Sequence, residues 1–177
     1  LSINISARNL QATNFTRNIV RIAAETGINL GNITMELTET AVMLDPVDAM
    51  RVMNELSDAG IRLSIDDFGT GYSSLAYLKQ LPVHEIKIDR SFVKEMQSSN
   101  DDQVIVHTTL VMGHNLGLQV VAEGIEDAAT LLQLKQLGCD MAQGYHIARP
   151  MPVEEFLTWL QQHRNPQTMA ATLARKV

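Results

Sequence analysis

Residues 33–67, ITMELTETAVMLDPVDAMRVMNELSDAGIRLSIDD, read as a strand, a helix and a second strand. Ile33, Met35 and Leu37 alternate with Thr34, Glu36 and Thr38, the two-residue period of a strand. Asp45 followed by Pro46 marks a helix start, with the Asp as N-cap and Pro in the first turn. Met50, Met53 and Leu56 then recur at helical spacing, and Gly60 follows the helix. Leu63 and Ile65 resume the alternation against Ser64 and Asp66. A strand that crosses over through a helix returns parallel to itself, so this stretch predicts an α/β fold around a parallel sheet.

The same unit repeats outward in both directions. Runs at 2–6, 85–89, 118–123 and 141–147 also read as strands, each followed by helical spacing. Gly27 and Gly138 follow helical stretches, Leu131, Leu132, Leu134 and Leu137 recur as packing positions, and Pro152 precedes a helix over 153–163. Six such units fit either a closed (β/α)₈ barrel or an open doubly wound sheet, and spacing alone leaves both open. A barrel of this kind takes about 250 residues, so if this is one, two more units are expected ahead of Leu1. The chain also opens on Leu1-Ser-Ile-Asn-Ile-Ser6 as a strand in full stride, which reads as a piece of a longer domain. No linker or repeat divides it, and residues 165–177 form a tail to which no role is assigned.

Composition narrows the function. The 177 residues carry 14 Lys plus Arg against 20 Asp plus Glu, a net charge of −6 that opposes contact with a DNA or RNA backbone. Cys139 is the single cysteine, which excludes an internal disulfide and a thiolate metal cluster and fits a reducing cytoplasm. Apolar runs such as Ile105 to Met112 are too short to cross a bilayer, so any membrane contact is expected to belong to other segments.

The strands carry a polar stripe opposite their apolar one. Ser2, Asn4 and Ser6 oppose Ile3 and Ile5; Glu85, Lys87 and Asp89 oppose Ile86 and Ile88. Helices cover the faces of a parallel sheet, so solvated polar residues are left only strand ends or a barrel mouth. Uncompensated burial of these carboxylates is prohibitive, so they are expected to meet cations. Asn4, Glu36, Asp66, Asp67 and Glu123 all fall near the carboxyl ends of their strands, where both architectures build active sites. Oxygen ligands without a histidine cluster suit Mg²⁺ or Mn²⁺ over Zn²⁺. Consecutive side chains on a strand diverge unless the chain is already turning, and Gly69 and Gly71 follow Asp66-Asp67. One Asp would then bridge two ions while its neighbour binds one, a clamp suited to phosphoryl-ester displacement. Lys87 either neutralises these acids or holds a reacting oxygen, and Glu39 either ties down the glycine-rich loop or is solvated there. His84, His107, His114, His146 and His163 show no ligand spacing.

ELTET, DDFGTGYSSL, KIDRSF, VVAEGIE and QGYHIARPMP, in this order, resemble the EAL-domain phosphodiesterases of bacterial cyclic di-GMP signalling. The resemblance implies a (β/α)₈ TIM-type barrel, with Leu1–Ser6 as the third of eight strands and residues 1–164 as a partial domain. It implies Asn4, Glu36, Asp66, Asp67 and Glu123 as metal ligands for two Mg²⁺ or Mn²⁺ ions, Asp66 being the bridge. Lys87, Glu123 and Gln143 would be catalytic, with Lys87 positioning the attacking water. Glu39 and Asp89 would anchor the DDFG loop, which in this family couples the metal site to dimerisation, and Gly144, Arg149 and Pro150 would touch substrate. The signature Glu-Ala-Leu tripeptide, whose Glu is a ligand, and its nearby Arg are absent from these residues. The parent is therefore expected to hydrolyse cyclic di-GMP to linear pGpG, and this piece alone to be inactive. A non-catalytic cyclic di-GMP receptor and another barrel metallohydrolase are the alternatives.

Overall fold

A computed structural model describes residues 1–71 and 75–163; the expected tail at 165–177 lies outside them. Strand and helix alternate throughout: β1 (Ser2–Asn4), α1 (Ala7–Leu10), α2 (Phe15–Thr26), β2 (Thr34–Thr38), α3 (Glu39–Leu44), α4 (Pro46–Asp58), β3 (Arg62–Phe68) and α5 (Leu75–Leu78). There follow β4 (Glu85–Ile88), α6 (Arg90–Glu95), α7 (Asn100–Asn115), β5 (Gln119–Ala122), α8 (Ala128–Gln136), β6 (Met141–Ala142) and α9 (Val153–His163). All six strands are parallel and lie in sequence order. Together they form a curled partial barrel with its helices outside.

Burial follows the alternation. Met35, Leu37, Leu63, Ile65, Ile86, Ile88, Val120 and Ala122 are all buried in one continuous core. Helices α3, α4 and α7 pack directly on these strands. At Gly113 of α7 a Cβ would lie 2.5 Å from a Val120 methyl, so glycine lets this helix approach the sheet. The helix start at Asp45 is capped as the sequence predicts, Asp45 accepting from the Asp48 amide with Pro46 in the first turn; Asp127, which is not singled out in the sequence, caps α8 by accepting from the Thr130 amide.

Two expectations fail. The run 141–147 is strand only at Met141–Ala142, because the chain then closes turns on itself. The Ile147 and Ala148 amides bond back to the Gly144 carbonyl, and the His146 amide bonds to Ile125 rather than along a ladder. Leu132, expected to pack with its helical neighbours, is 56% exposed, since α8 turns Leu134 inward instead. Among the described residues no helix is long and apolar enough to cross a membrane.

Candidate active site

Lys87 stands at the centre of the polar face. Its side chain is 5% exposed, and its Nζ lies 2.9 Å from Glu36 Oε2, 3.1 Å from Asp66 Oδ1 and 2.5 Å from Glu123 Oε1. These partners come from β2, β3 and the residue after β5, so four neighbouring strands converge on one ammonium. The Glu36 contact is a hydrogen bond, and those to Asp66 and Glu123 are close ion pairs. Burial alone would lower the Lys87 pKa, but hydrogen bonds to Glu123 and Glu36 outweigh it and hold the amine firmly charged. Glu123 moves up because burial, with Asp66 and Glu36 beside it, exceeds the attraction of Lys87.

The end of β3 supplies two adjacent acids to this face through a bulge. Ile65 pairs with Ile86 and Phe68 with Ile88, so three steps of β3 span two of β4. Asp67 takes the extra step at φ 53°, a left-handed conformation that Asp tolerates better than most residues. Its carboxylate thereby joins those of Asp66 and Glu123, with one ligand oxygen of each within 4.8 Å of the others. Burial raises the Asp67 pKa, and Asp66 and a hydrogen bond shared with Asp89 raise it further. Asp89 caps α6 by accepting from the Ser91 amide and hydroxyl. Burial pushes Asp89 up, but those Ser91 bonds together with Asp67 and Arg90 hold it below the ordinary range.

Beyond the bulge the loop is tied to α3. Glu39, 3% exposed, accepts from the Gly69 amide at 3.1 Å and the Gly71 amide at 3.3 Å through Oε2. A Cβ on Gly71 would sit 2.9 Å from that carboxylate, so the bond requires a residue without one.

The remaining expected site residues lie on the flanks. Asn4 pairs with Glu36 in register on β1 and is exposed. Gln143 follows β6; its amide donates to Ala122 and its carbonyl accepts from Ile125, leaving an exposed side chain. Gln143 and Gly144 line a cleft of about 200 Å³ together with Glu123. Arg149 and Pro150 line a separate cleft with Gly144, the guanidinium lying 4.8 Å over the Tyr145 ring. Arg90 and Tyr145 also line the Glu123 cleft, although spacing and charge pattern do not single them out; their only signal is position, directly after Asp89 and Gly144.

The donor set fits a hard divalent cation: three carboxylates and no imidazole or thiolate in the grouping, at the carboxyl ends of parallel strands.

The match to the EAL domain family model runs over residues 1–150, and the chain belongs to that family. It is 38% identical to the bifunctional diguanylate cyclase/cyclic di-GMP phosphodiesterase MucR of Pseudomonas aeruginosa over 89% of this chain, and spans 23% of MucR. The solved MucR phosphodiesterase in complex with cyclic di-GMP superposes with a TM-score of 0.85, covering 88% of this chain and 63% of that one. The EAL domain of Mycobacterium smegmatis DcpA is 39% identical with a TM-score of 0.88 over 94% of this chain and 74% of its own. Klebsiella pneumoniae BlrP1, solved with manganese and cyclic di-GMP, is 31% identical with a TM-score of 0.80, covering 85% of this chain and 38% of its own. The fold is thus that of EAL TIM-type barrels, represented here by six of the eight strands such a barrel holds.

Proposed function

We propose that the complete domain containing this chain hydrolyses one ester of cyclic di-GMP to linear pGpG with two Mg²⁺ or Mn²⁺ ions. The grouping of Asp66, Asp67 and Glu123 within 4.8 Å, beside buried Lys87, carries the reading. Asn4, Glu36, Asp66, Asp67 and Glu123 would hold the ions, with Asp66 between them. Bound divalent ions would supply Lewis-acid polarisation of the phosphodiester and a more acidic water. The chain's own residues do the rest. Lys87 directs its ammonium at the oxygen on which charge develops, and Gln143 faces the same cleft as Glu123. Glu39 and Asp89 hold the 66–71 segment in place through Gly69, Gly71 and Asp67. Gly144, Arg149 and Pro150 form the substrate-facing edge.

Residues 1–164 serve as part of that domain, and the 177 residues alone are inactive for want of the Glu-Ala-Leu segment. The complete domain works as a homodimer in the cytoplasm, without nucleic-acid polymer or membrane contact by this segment. The test is titration of the complete domain with Mg²⁺ and Mn²⁺, with chromatography of the product. Appearance of pGpG only with metal is expected; binding of cyclic di-GMP without turnover at any metal concentration would make the domain a receptor.

A further inference from the structure

The Lys87 ammonium and a divalent cation compete for the same oxygens. Asp66 and Glu123 are two of the three carboxylates that approach within 4.8 Å, and both are already bonded to Lys87. Glu36 is bonded to it as well. The ammonium is thus hydrogen-bonded to Glu36 and ion-paired with Asp66 and Glu123, which engages it with the carboxylates that would hold the metal. The cluster is deep enough for this to matter: Lys87 is 5% and Glu36 8% exposed. Uncompensated charge on these buried and half-buried carboxylates is costly, so a cation among them stabilises the ionised site.

We infer that Lys87 is the built-in counter-ion of the metal-free site, which a divalent cation displaces from Asp66 and Glu123, freeing its N–H donors for the reacting oxygen. This rests on the function proposed above and adds an order to it. The lysine that serves the reaction is locked while metal is absent and becomes available only when metal takes its partners. No covalent bond changes; the ion pairs of Lys87 with Asp66 and Glu123 exchange for coordination by a hard cation. Two opposing consequences follow for a lysine of this kind. It stabilises the metal-free chain, and it weakens metal binding by the strength of the contacts that must break.

The experiment compares this chain with its Lys87→Met variant by calorimetric titration with Mn²⁺ and by thermal unfolding with and without the ion. The metal-free variant should melt roughly 10 °C lower, because buried Glu36 and half-buried Asp66 and Glu123 lose their partner. It should bind Mn²⁺ on the order of tenfold more tightly, and saturating Mn²⁺ should close most of the gap in melting temperature. Equal or weaker Mn²⁺ binding by the variant, or an unchanged metal-free melting temperature, overturns the inference. Should Lys87→Met not fold, the wild-type chain answers through the ¹⁵Nζ resonance of Lys87 during Mg²⁺ titration. Loss of its slow-exchanging signal at saturation is expected, and an unaltered signal overturns the exchange. A wild-type chain that binds neither ion overturns this inference, and a complete domain that binds neither overturns the metal-dependent reading with it, whereas binding without either change overturns this inference alone.

Discussion

Strands β2 to β5 and the flanking strands β1 and β6 place polar residues inward by the same alternation, but the two regions treat them differently. In the centre Glu36 and Lys87 are buried, and every acid that reaches Lys87 is paired with it. On the flanks Asn4 and Gln143 keep exposed side chains, and β6 is two residues long. Within this chain a central inward residue has paired strands on both sides, whereas a residue of β1 or β6 has one here and meets the remaining strands of the closed barrel on its other side. The centre therefore balances its charge within this chain, and the polar groups of β1 and β6 stand where the remaining strands of the barrel join.

The largest expected effect breaks the centre chemically. Asp66→Asn in the complete domain keeps the shape and removes the anion that both pairs with Lys87 and groups with Asp67 and Glu123. Turnover of cyclic di-GMP should fall about a thousandfold, with circular dichroism unchanged. Near-normal product formation by the variant would place the metal chemistry elsewhere and remove the distinction between centre and flank.

Much of this comparison is legible in the amino-acid order. Alternation alone puts Glu36, Asp66 and Lys87 on one face, and Asp45-Pro46 announces α4 correctly. Adjacent Asp66 and Asp67 imply a turning chain, but not how it turns. The bulge against β4 and the left-handed Asp67 depend on a partner strand twenty residues away in a register that no local pattern encodes. The sharing of Lys87 among three acids is hidden for the same reason, since it requires β2, β3 and β5 to curl around β4. The strand reading of 141–147 fails because apolar alternation there serves turns closed by Gly144 and Ile125. Leu132 fails because helical spacing names a stripe of candidates without saying which edge of it meets the sheet.

A second test asks whether the flank is loose or merely exposed. A Cβ on Gly144 would lie 2.2 Å from the Ile125 carbonyl oxygen and 2.3 Å from its nitrogen, both backbone atoms that cannot swing away. Gly144→Ala should therefore cost about 3 kcal/mol in denaturant unfolding. Gly27, with φ of 70° and open space around it, is the control, and Gly27→Ala should cost about 1 kcal/mol. Equal losses would mean that the segment after β6 yields easily, and that its side chains are not held in place as those of the centre are.

Glu39→Gln is expected to do less, because the amide oxygen can still accept from Gly69 or Gly71 while the charge assistance is lost. Roughly 2 kcal/mol in unfolding free energy is anticipated, together with faster amide hydrogen exchange at Gly69 and Gly71. Unchanged exchange at both amides would show that the loop does not depend on this carboxylate.

The smallest effect concerns Asp127, the cap of the helix that leads into β6. Its Oδ1 accepts from the Thr130 amide at 2.8 Å and its Oδ2 from the Thr130 hydroxyl at 2.9 Å. The Thr130 amide bond lowers its pKa, against a smaller opposing push from burial. A carboxyl whose folded pKa is depressed stabilises the fold fully above its unfolded value near 3.9, and loses that contribution as pH falls through the lower folded value. Asp127→Ala should thus cost about 1 kcal/mol at pH 7, and the gap between wild type and variant should narrow towards pH 2. Asp127→Asn separates the cap from its charge: Asn also caps well, so it should lose little at pH 7 while flattening the acid limb. Denaturant midpoints measured across the acid range decide the matter. A wild-type to Ala gap that stays constant through that range would show that the carboxylate charge contributes nothing at this end of the sheet. The contrast with the charge-dependent centre would then be sharper than the geometry alone makes it.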